Sequence, residues 1–190
     1  ILGETMPRSV QASGGIYYYQ GKITTPDTLS AQFDFGTCPV FWKHRIWGAQ
    51  EYDRDVANGI FFYGENGTIF VTDNRWVVIP KAKDQQREEH KATADMGTAH
   101  MTEFLQAVRR GSAPALGGDP KDSPAGGGWA TIEDGYRSTA TVKLAMIAYD
   151  TGMKIAWDEK SHQIVGNPQA AAMLKRPYRA PWKHPADGLA

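Results

Sequence analysis

One short segment carries groups suited to small-molecule recognition: Trp42, Lys43, His44, Arg45 and Trp47, all within six positions. Aromatic rings cover the C–H face of a sugar or hydroxy acid, and charged forks meet its oxygens. On an extended backbone the side chains alternate, so Lys43 and Arg45 share one face and His44 lies on the other beside Trp42. Lys43, His44, Arg45 and Trp47 are therefore the candidate substrate-binding residues. The competing reading is a role in sheet packing or in an interface.

A second cluster lies towards the C-terminus, where Lys175, Arg176, Arg179 and Lys183 interleave with Tyr178 and Trp182. Such alternation is one way to build a platform for single-stranded nucleic acid. The favoured expectation is that the rings dock on the domain while the cations stay in water. The 21 Lys+Arg balance 21 Asp+Glu, for a formal net charge of zero. A polyanion binder draws its affinity from an excess of cations, so no nucleic-acid partner is expected.

Other chemistry is missing. The five histidines, His44, His90, His100, His162 and His184, include no i, i+4 pair that would make a helical metal site. Cys38 is the single cysteine, which excludes an intramolecular disulfide and a multi-thiolate zinc site. No G-x-S-x-G or P-loop occurs, and no G-x-G-x-x-G follows a strand; Gly126-Gly127-Gly128 precedes Trp129 and fits neither phosphate cradle. Neighbouring acids such as Glu88-Glu89 and Asp158-Glu159 read as solvated charge, and the sequon Asn66-Gly67-Thr68 reads as part of a tight turn. No catalytic, cofactor-binding or metal-binding residue is assigned to this chain.

The elements that would position the candidate residues begin with period-two runs. In residues 8–20, Val10, Ala12, Ile16 and Tyr18 point one way, and Gly14-Gly15 marks a bulge or a close backbone approach. Leu29, Ala31, Phe33 and Phe35 form the apolar face of a second strand, and residues 40–47 make a third. Ile60–Tyr63 and Thr68–Val71 flank a hairpin turn at 64–67, and Arg75–Ile79 follows. Residues 81–94 are charged and apolar-poor, and read as a solvated loop or frayed helix. Met101, Phe104, Leu105 and Val108 then fit one helix face with Gly111 as its stop. Residues 112–128 read as a loop. A longer helix capped by Thr131 carries Ile132, Tyr136, Ala140, Leu144, Ile147 and Ala148 and stops at Gly152. Short strands at 154–157 and 163–165, a helix begun by Asn167-Pro168, and an extended tail from 176 to 190 complete the chain. Strands first and helices later give an α+β fold: a mainly antiparallel open sheet with helices packed on one face, as a single domain over 1–190.

A hydrophobic fraction of 41% with 11% aromatics supports a packed core. No apolar run approaches the roughly 20 residues of a membrane span, so no membrane partner is expected and the chain is read as soluble. The start at Ile1-Leu2-Gly3 reads as a cut through a larger protein.

The order of motifs resembles one family. Pro7-Arg8-Ser9-Val10, Gly14-Gly15, Thr25-Pro26-Asp27-Thr28, Gly59-Ile60 with Gly64-x-x-Gly67-Thr68, and His100-x-x-x-Phe104 with Val108-Arg109 are similar to the C-terminal domain of the Gfo/Idh/MocA oxidoreductases. The closing run from Ile147-Ala148-Tyr149 through Trp157-Asp158 and Gly166-Asn167 to Arg176-Pro177-Tyr178-Arg179-x-Pro181-Trp182 resembles a bacterial branch with cytoplasmic and exported members. The resemblance covers essentially the whole chain.

It implies a two-domain enzyme in which a Rossmann domain binds NAD or NADP and supplies a lysine from a Glu-Lys-Pro motif. The present domain would supply the substrate side of the cleft for a carbohydrate-like ligand. The open sheet face would form a homo-oligomer, with Tyr17, Tyr19, Phe41, Trp47 and Phe62 as candidate interface residues. The implied reaction is hydride transfer with a sugar, cyclitol or related secondary alcohol. None of the family's principal catalytic positions maps onto this chain, which alone is expected to be inactive and to bind no cofactor. A free-standing binding or scaffold module that dimerises through its sheet, and an NAD-dependent enzyme whose net reaction is glycoside cleavage, are the alternatives.

Overall fold

The computed structural model describes residues 5–49, 52, 56–92, 95–111 and 131–185. The expected start at 1–3, the 112–128 loop with its glycine run, and the end of the tail lie outside them. The fold is α+β, with nine strands and three helices among the described residues. The strands form two antiparallel sheets, and the chain divides into two compact units, 1–47 with 134–190 and 48–133.

The first sheet contains β1 (Ser9–Gly15), β2 (Thr28–Asp34), β3 (Pro39–Arg45), β8 (Ile155–Asp158) and β9 (Gln163–Val165), in the order β3-β2-β1-β8-β9. Its register pairs Val10 with Phe33, Ala12 with Ala31, and Ala31 with Trp42. One face of the sheet therefore carries Val10, Ala31 and Phe33 into the core, where they meet Leu144, Ala145, Ile147 and Ala148 of α2 (Ile132–Thr151) together with Ile155 and Ile164. The expected stripe on α2 is buried only in its second half; Ile132 and Tyr136 are exposed. α3 (Pro168–Ala172) starts as its sequence dictates, with Asn167 Oδ1 accepting the Ala170 N–H at 3.0 Å and proline in the first turn.

Gly14 shows why β1 carries glycines. A Cβ there would lie 2.2 Å from the Thr28 carbonyl oxygen, on the backbone of the strand it pairs with. The register runs unbroken through Gly14↔Leu29 and Gly15↔Thr28, so this is close approach and not a bulge. Gly14→Ala is expected to cost about 2–3 kcal/mol, read as a lower midpoint in urea at unchanged slope; an unchanged midpoint would show that the hairpin yields. The strand ends at Gly15, so Tyr18 does not continue its inward line and is 65% exposed.

In the second unit β4 (Ile60–Gly64), β5 (Gly67–Val71), β6 (Arg75–Pro80) and β7 (Glu88–Lys91) form a meander in chain order. Phe61, Phe70 and Val77 align across it on one face, with Tyr52 against both phenyl rings at 5.0 and 4.4 Å. The six strands read from sequence as one sheet are thus split, three in each. β7 replaces the expected loop or frayed helix. Its burial pattern is exposed throughout, so no apolar alternation marks it. Instead the Arg75–Glu89 ion pair at 3.1 Å and stacking of His90 on Trp76 at 5.2 Å hold it on the sheet, and its charges suit an edge.

α1 (Met96–Arg110) begins where Asp95 accepts the Gly97 and Thr98 N–H groups and ends on Gly111 at φ 70. Those bonds, the Thr98 hydroxyl first, hold the Asp95 carboxyl below the usual carboxylate range. Asp95→Ala should fray the first turn, seen as faster amide exchange at Gly97 and Thr98 with protection near Val108 unchanged. Uniform loss of protection along α1 would assign Asp95 a wider role.

Candidate functional site

The candidate residues leave the first sheet along its edge strand β3. Thr28 pairs with Arg45, Ser30 with Lys43 and Gln32 with Phe41, which puts Phe41, Lys43 and Arg45 on the face away from the core. That face also carries Gln11, whose side-chain amide donates to the Gln32 side chain at 3.0 Å. It is a polar surface flanked by two cations. His44 pairs with the buried Leu29 and so lies on the opposite face, half-buried, with Nε2 3.3 Å from the Pro26 carbonyl oxygen. Since a carbonyl only accepts, that contact places the ring proton on Nε2.

Trp47 joins Arg45 rather than His44. The Arg45 guanidinium sits 5.4 Å from the centre of the Trp47 ring, and Tyr18 stacks on the same indole at 5.7 Å and 16°. Tyr18 in turn meets Tyr19 edge-on at 4.9 Å. The Trp47 indole N–H donates to Thr28 Oγ1 at 2.9 Å, and that hydroxyl donates to Asp27 Oδ1 at 2.9 Å. Cation–π attraction and ring stacking thus gather a guanidinium, an indole and a phenol at one end of the open face.

Asp27 organises this end. It is fully buried, and its carboxylate accepts the backbone N–H groups of Tyr17, Tyr18 and Tyr19, the last two at 2.7 and 2.9 Å. With three successive amides turned inward on one carboxylate, the Tyr17 and Tyr18 side chains face solvent and Tyr19 is half-buried. Tyr17 and Tyr18 are 62% and 65% exposed. Burial alone would raise the Asp27 pKa; the bonds from Tyr19, Tyr17 and Tyr18 and from the Thr28 hydroxyl outweigh it and hold the carboxyl well below the usual carboxylate range. The Asp27 backbone ties down two further segments, its N–H donating to Gly15 and its carbonyl accepting from Ile46.

The structure therefore brings Arg45 and Trp47 together, keeps Lys43 on their face, and sets His44 apart. Sequence reasoning missed Tyr18 and Asp27. The available signals were an aspartate in Thr25-Pro26-Asp27-Thr28, read only as turn chemistry, and three tyrosines directly after Gly14-Gly15-Ile16. The candidate interface residues also separate: Phe41 lies on the first sheet and Phe62 on the second.

The described residues do not form a Rossmann-type dinucleotide site. Both sheets are antiparallel, so there is no strand–glycine turn–helix unit of the parallel kind that presents amides to a pyrophosphate. The N-terminal amides of α1 are already taken by the Asp95 carboxylate, which would repel a phosphate. No cluster of three metal-ligating side chains occurs among the described residues, and no helix there is long and apolar enough to cross a membrane.

Comparison with known proteins agrees with this architecture. Residues 47–184 match the Gfo/Idh/MocA family model described as the oxidoreductase family, C-terminal alpha/beta domain, and the chain belongs to that family. Among curated proteins none matches. A candidate oxidoreductase from Klebsiella pneumoniae superposes with a TM-score of 0.51 at 12% identity, over 89% of this chain and 47% of that one. The candidate oxidoreductase YvaA of Bacillus subtilis gives 0.51 at 11% identity, over 80% and 45%. At such identities the likeness is one of fold, and the chain spans a little under half the length of either relative.

Proposed function

We propose that this chain is the substrate-side and oligomer-forming domain of an NAD(P)-dependent oxidoreductase acting on a sugar, cyclitol or related secondary alcohol. The observation that carries the reading is the Arg45–Trp47–Tyr18 stack on the polar face of the first sheet, in a chain of this oxidoreductase family. Arg45 and Lys43 would donate to ligand hydroxyls, and the exposed Tyr18 ring would cover a C–H face. The cofactor and the group that moves the proton would come from the rest of the full-length protein; when bound, the nicotinamide supplies hydride chemistry. Incubating the full-length protein with NAD or NADP and a panel of hexoses, pentoses and cyclitols tests this. Reduction of the nicotinamide by at least one member supports the reading, and cofactor binding without turnover of any of them opposes it.

Self-association fits the second sheet. The register places Ile60, Phe62, Ile69, Val71, Trp76 and Val78 on one face, and Ile60, Ile69 and Trp76 are 58%, 41% and 40% exposed. An apolar strip of this kind is costly in water and suits burial against a second copy. Light scattering of the full-length protein should give a dimer or a larger closed assembly, and Ile60→Glu should shift it towards monomer. A monomeric mass at high protein concentration counts against the interface.

A further inference from the structure

At the far end of the first sheet's polar face, away from Arg45 and Trp47, the surface dips into a hollow of about 180 Å³, half-open to solvent. Gln11, Gln32 and Lys154 line it together with Ser9 and the β2–β3 turn from Asp34 to Pro39. The turn is fixed: Asp34 Oδ1 accepts the Gly36 N–H at 2.8 Å, and the Phe35 N–H donates to the Cys38 carbonyl at 3.2 Å. Ser9 is only 8% exposed, yet its hydroxyl has no hydrogen-bond partner among the described residues. Asp34 and Lys154 both line the hollow and form no ion pair with each other. The Gln11 side-chain amide donates to the Gln32 side chain, which leaves the Gln11 carbonyl oxygen and the Gln32 NH₂ group for a ligand.

We propose that this hollow binds a small zwitterion, an α-amino acid with a short side chain. Such a ligand engages the Asp34 carboxylate through its ammonium and Lys154 through its carboxylate, which the two residues do not do for each other across the gap. The Ser9 hydroxyl and the free amide groups meet its remaining donors and acceptors. One carboxylate against one ammonium gives the hollow no net charge, which disfavours a simple anion or cation. A neutral polyol would hydrogen-bond the amides but leave the charge on either side without a counter-charge. A cavity of about 150 Å³ holds a six-carbon ring, so this volume suits glycine, alanine or serine and not an aromatic amino acid.

Calorimetric titration of the 190-residue chain with glycine, alanine, serine and tryptophan tests the site, with glucose as the uncharged probe. The expected result is saturable binding of at least one of the three small zwitterions. It should bind about 10-fold or more tightly than its own N-acetylated and amidated forms, each of which keeps a single charge, and than tryptophan or glucose. Asp34→Asn, which keeps an acceptor for the Gly36 N–H, and Lys154→Gln should each lower that affinity by about 10-fold. Ser9→Ala should lower it about 3-fold and leave the melting temperature unchanged, because the hydroxyl it removes holds no bond within the described residues. Cys38, the single cysteine, lines the hollow and gives a readout of position. Ligand at ten times its Kd should slow Cys38 alkylation by iodoacetamide about 5-fold or more, and the same concentration should protect much less in Asp34→Asn. No saturable binding of the three small amino acids, equal binding of their single-charge forms, tighter binding of glucose, affinity unaltered by the charge variants, or unchanged Cys38 alkylation would each overturn the proposal.

Discussion

Asp27→Ala is expected to lower the melting temperature by on the order of 5–10 °C, the largest effect of any single substitution at this edge of the first sheet. The carboxylate is buried and accepts from Tyr17, Tyr18 and Tyr19, so removing it strands three backbone donors together. It also frees the Thr28 hydroxyl that anchors the Trp47 indole. Asp27→Asn should be milder yet still destabilising, because an amide offers one acceptor oxygen where the carboxylate offers two. The pH dependence has a definite sign. The folded pKa is depressed, so the stabilisation is complete above the ordinary carboxylate value, roughly 4, and is lost as pH falls from there towards the folded value. The gap in melting temperature between the native chain and Asp27→Asn should therefore be constant near neutrality and narrow in acid. A gap that stays constant into strong acid, or is absent throughout, removes Asp27 as the organiser of this edge.

The second large effect concerns ligand use. In the full-length protein, Arg45→Ala should lower kcat/KM for the sugar or cyclitol substrate on the order of 10- to 100-fold, the range expected for losing charged hydrogen bonds. Arg45 is exposed on its strand, so the melting temperature should change little. His44→Ala should show the reverse balance. Its ring lies on the opposite face against the Pro26 carbonyl, so stability should fall slightly while kcat/KM holds. Equal kinetic losses in both variants would mean that the two faces of β3 are not functionally distinct. An unchanged kcat/KM in Arg45→Ala would remove it from the site.

Much of the architecture was legible because it rests on local rules. Leu29, Ala31 and Phe33 alternate, and they are buried as a period-two face requires. Gly111 and Gly152 end their helices at positive φ, and Asn167-Pro168 opens the third. The charged strand Glu88–Lys91 was not legible, since an edge strand held by Arg75 and Trp76 needs no apolar face of its own. Division of the strands into two sheets was equally hidden, because alternation states which residues face inward and not which strands pair. At the candidate site, alternation separated Lys43 and Arg45 from His44 correctly. Tyr18 and Asp27 escaped because their roles depend on a loop in which three backbone amides converge on one carboxylate, a geometry without periodicity. The tail shows the same limit: composition suggested docked rings, whereas Tyr178 and Trp182 stay exposed beside a turn at 179–182.

The most direct test of the account is hydrogen–deuterium exchange of the full-length protein with and without its best sugar or cyclitol substrate, in the presence of nicotinamide cofactor. The account predicts new protection in the segments 16–20 and 43–47, which carry Tyr18, Lys43, Arg45 and Trp47. Protection confined to other segments, with 16–20 and 43–47 exchanging as in the free protein, would contradict it.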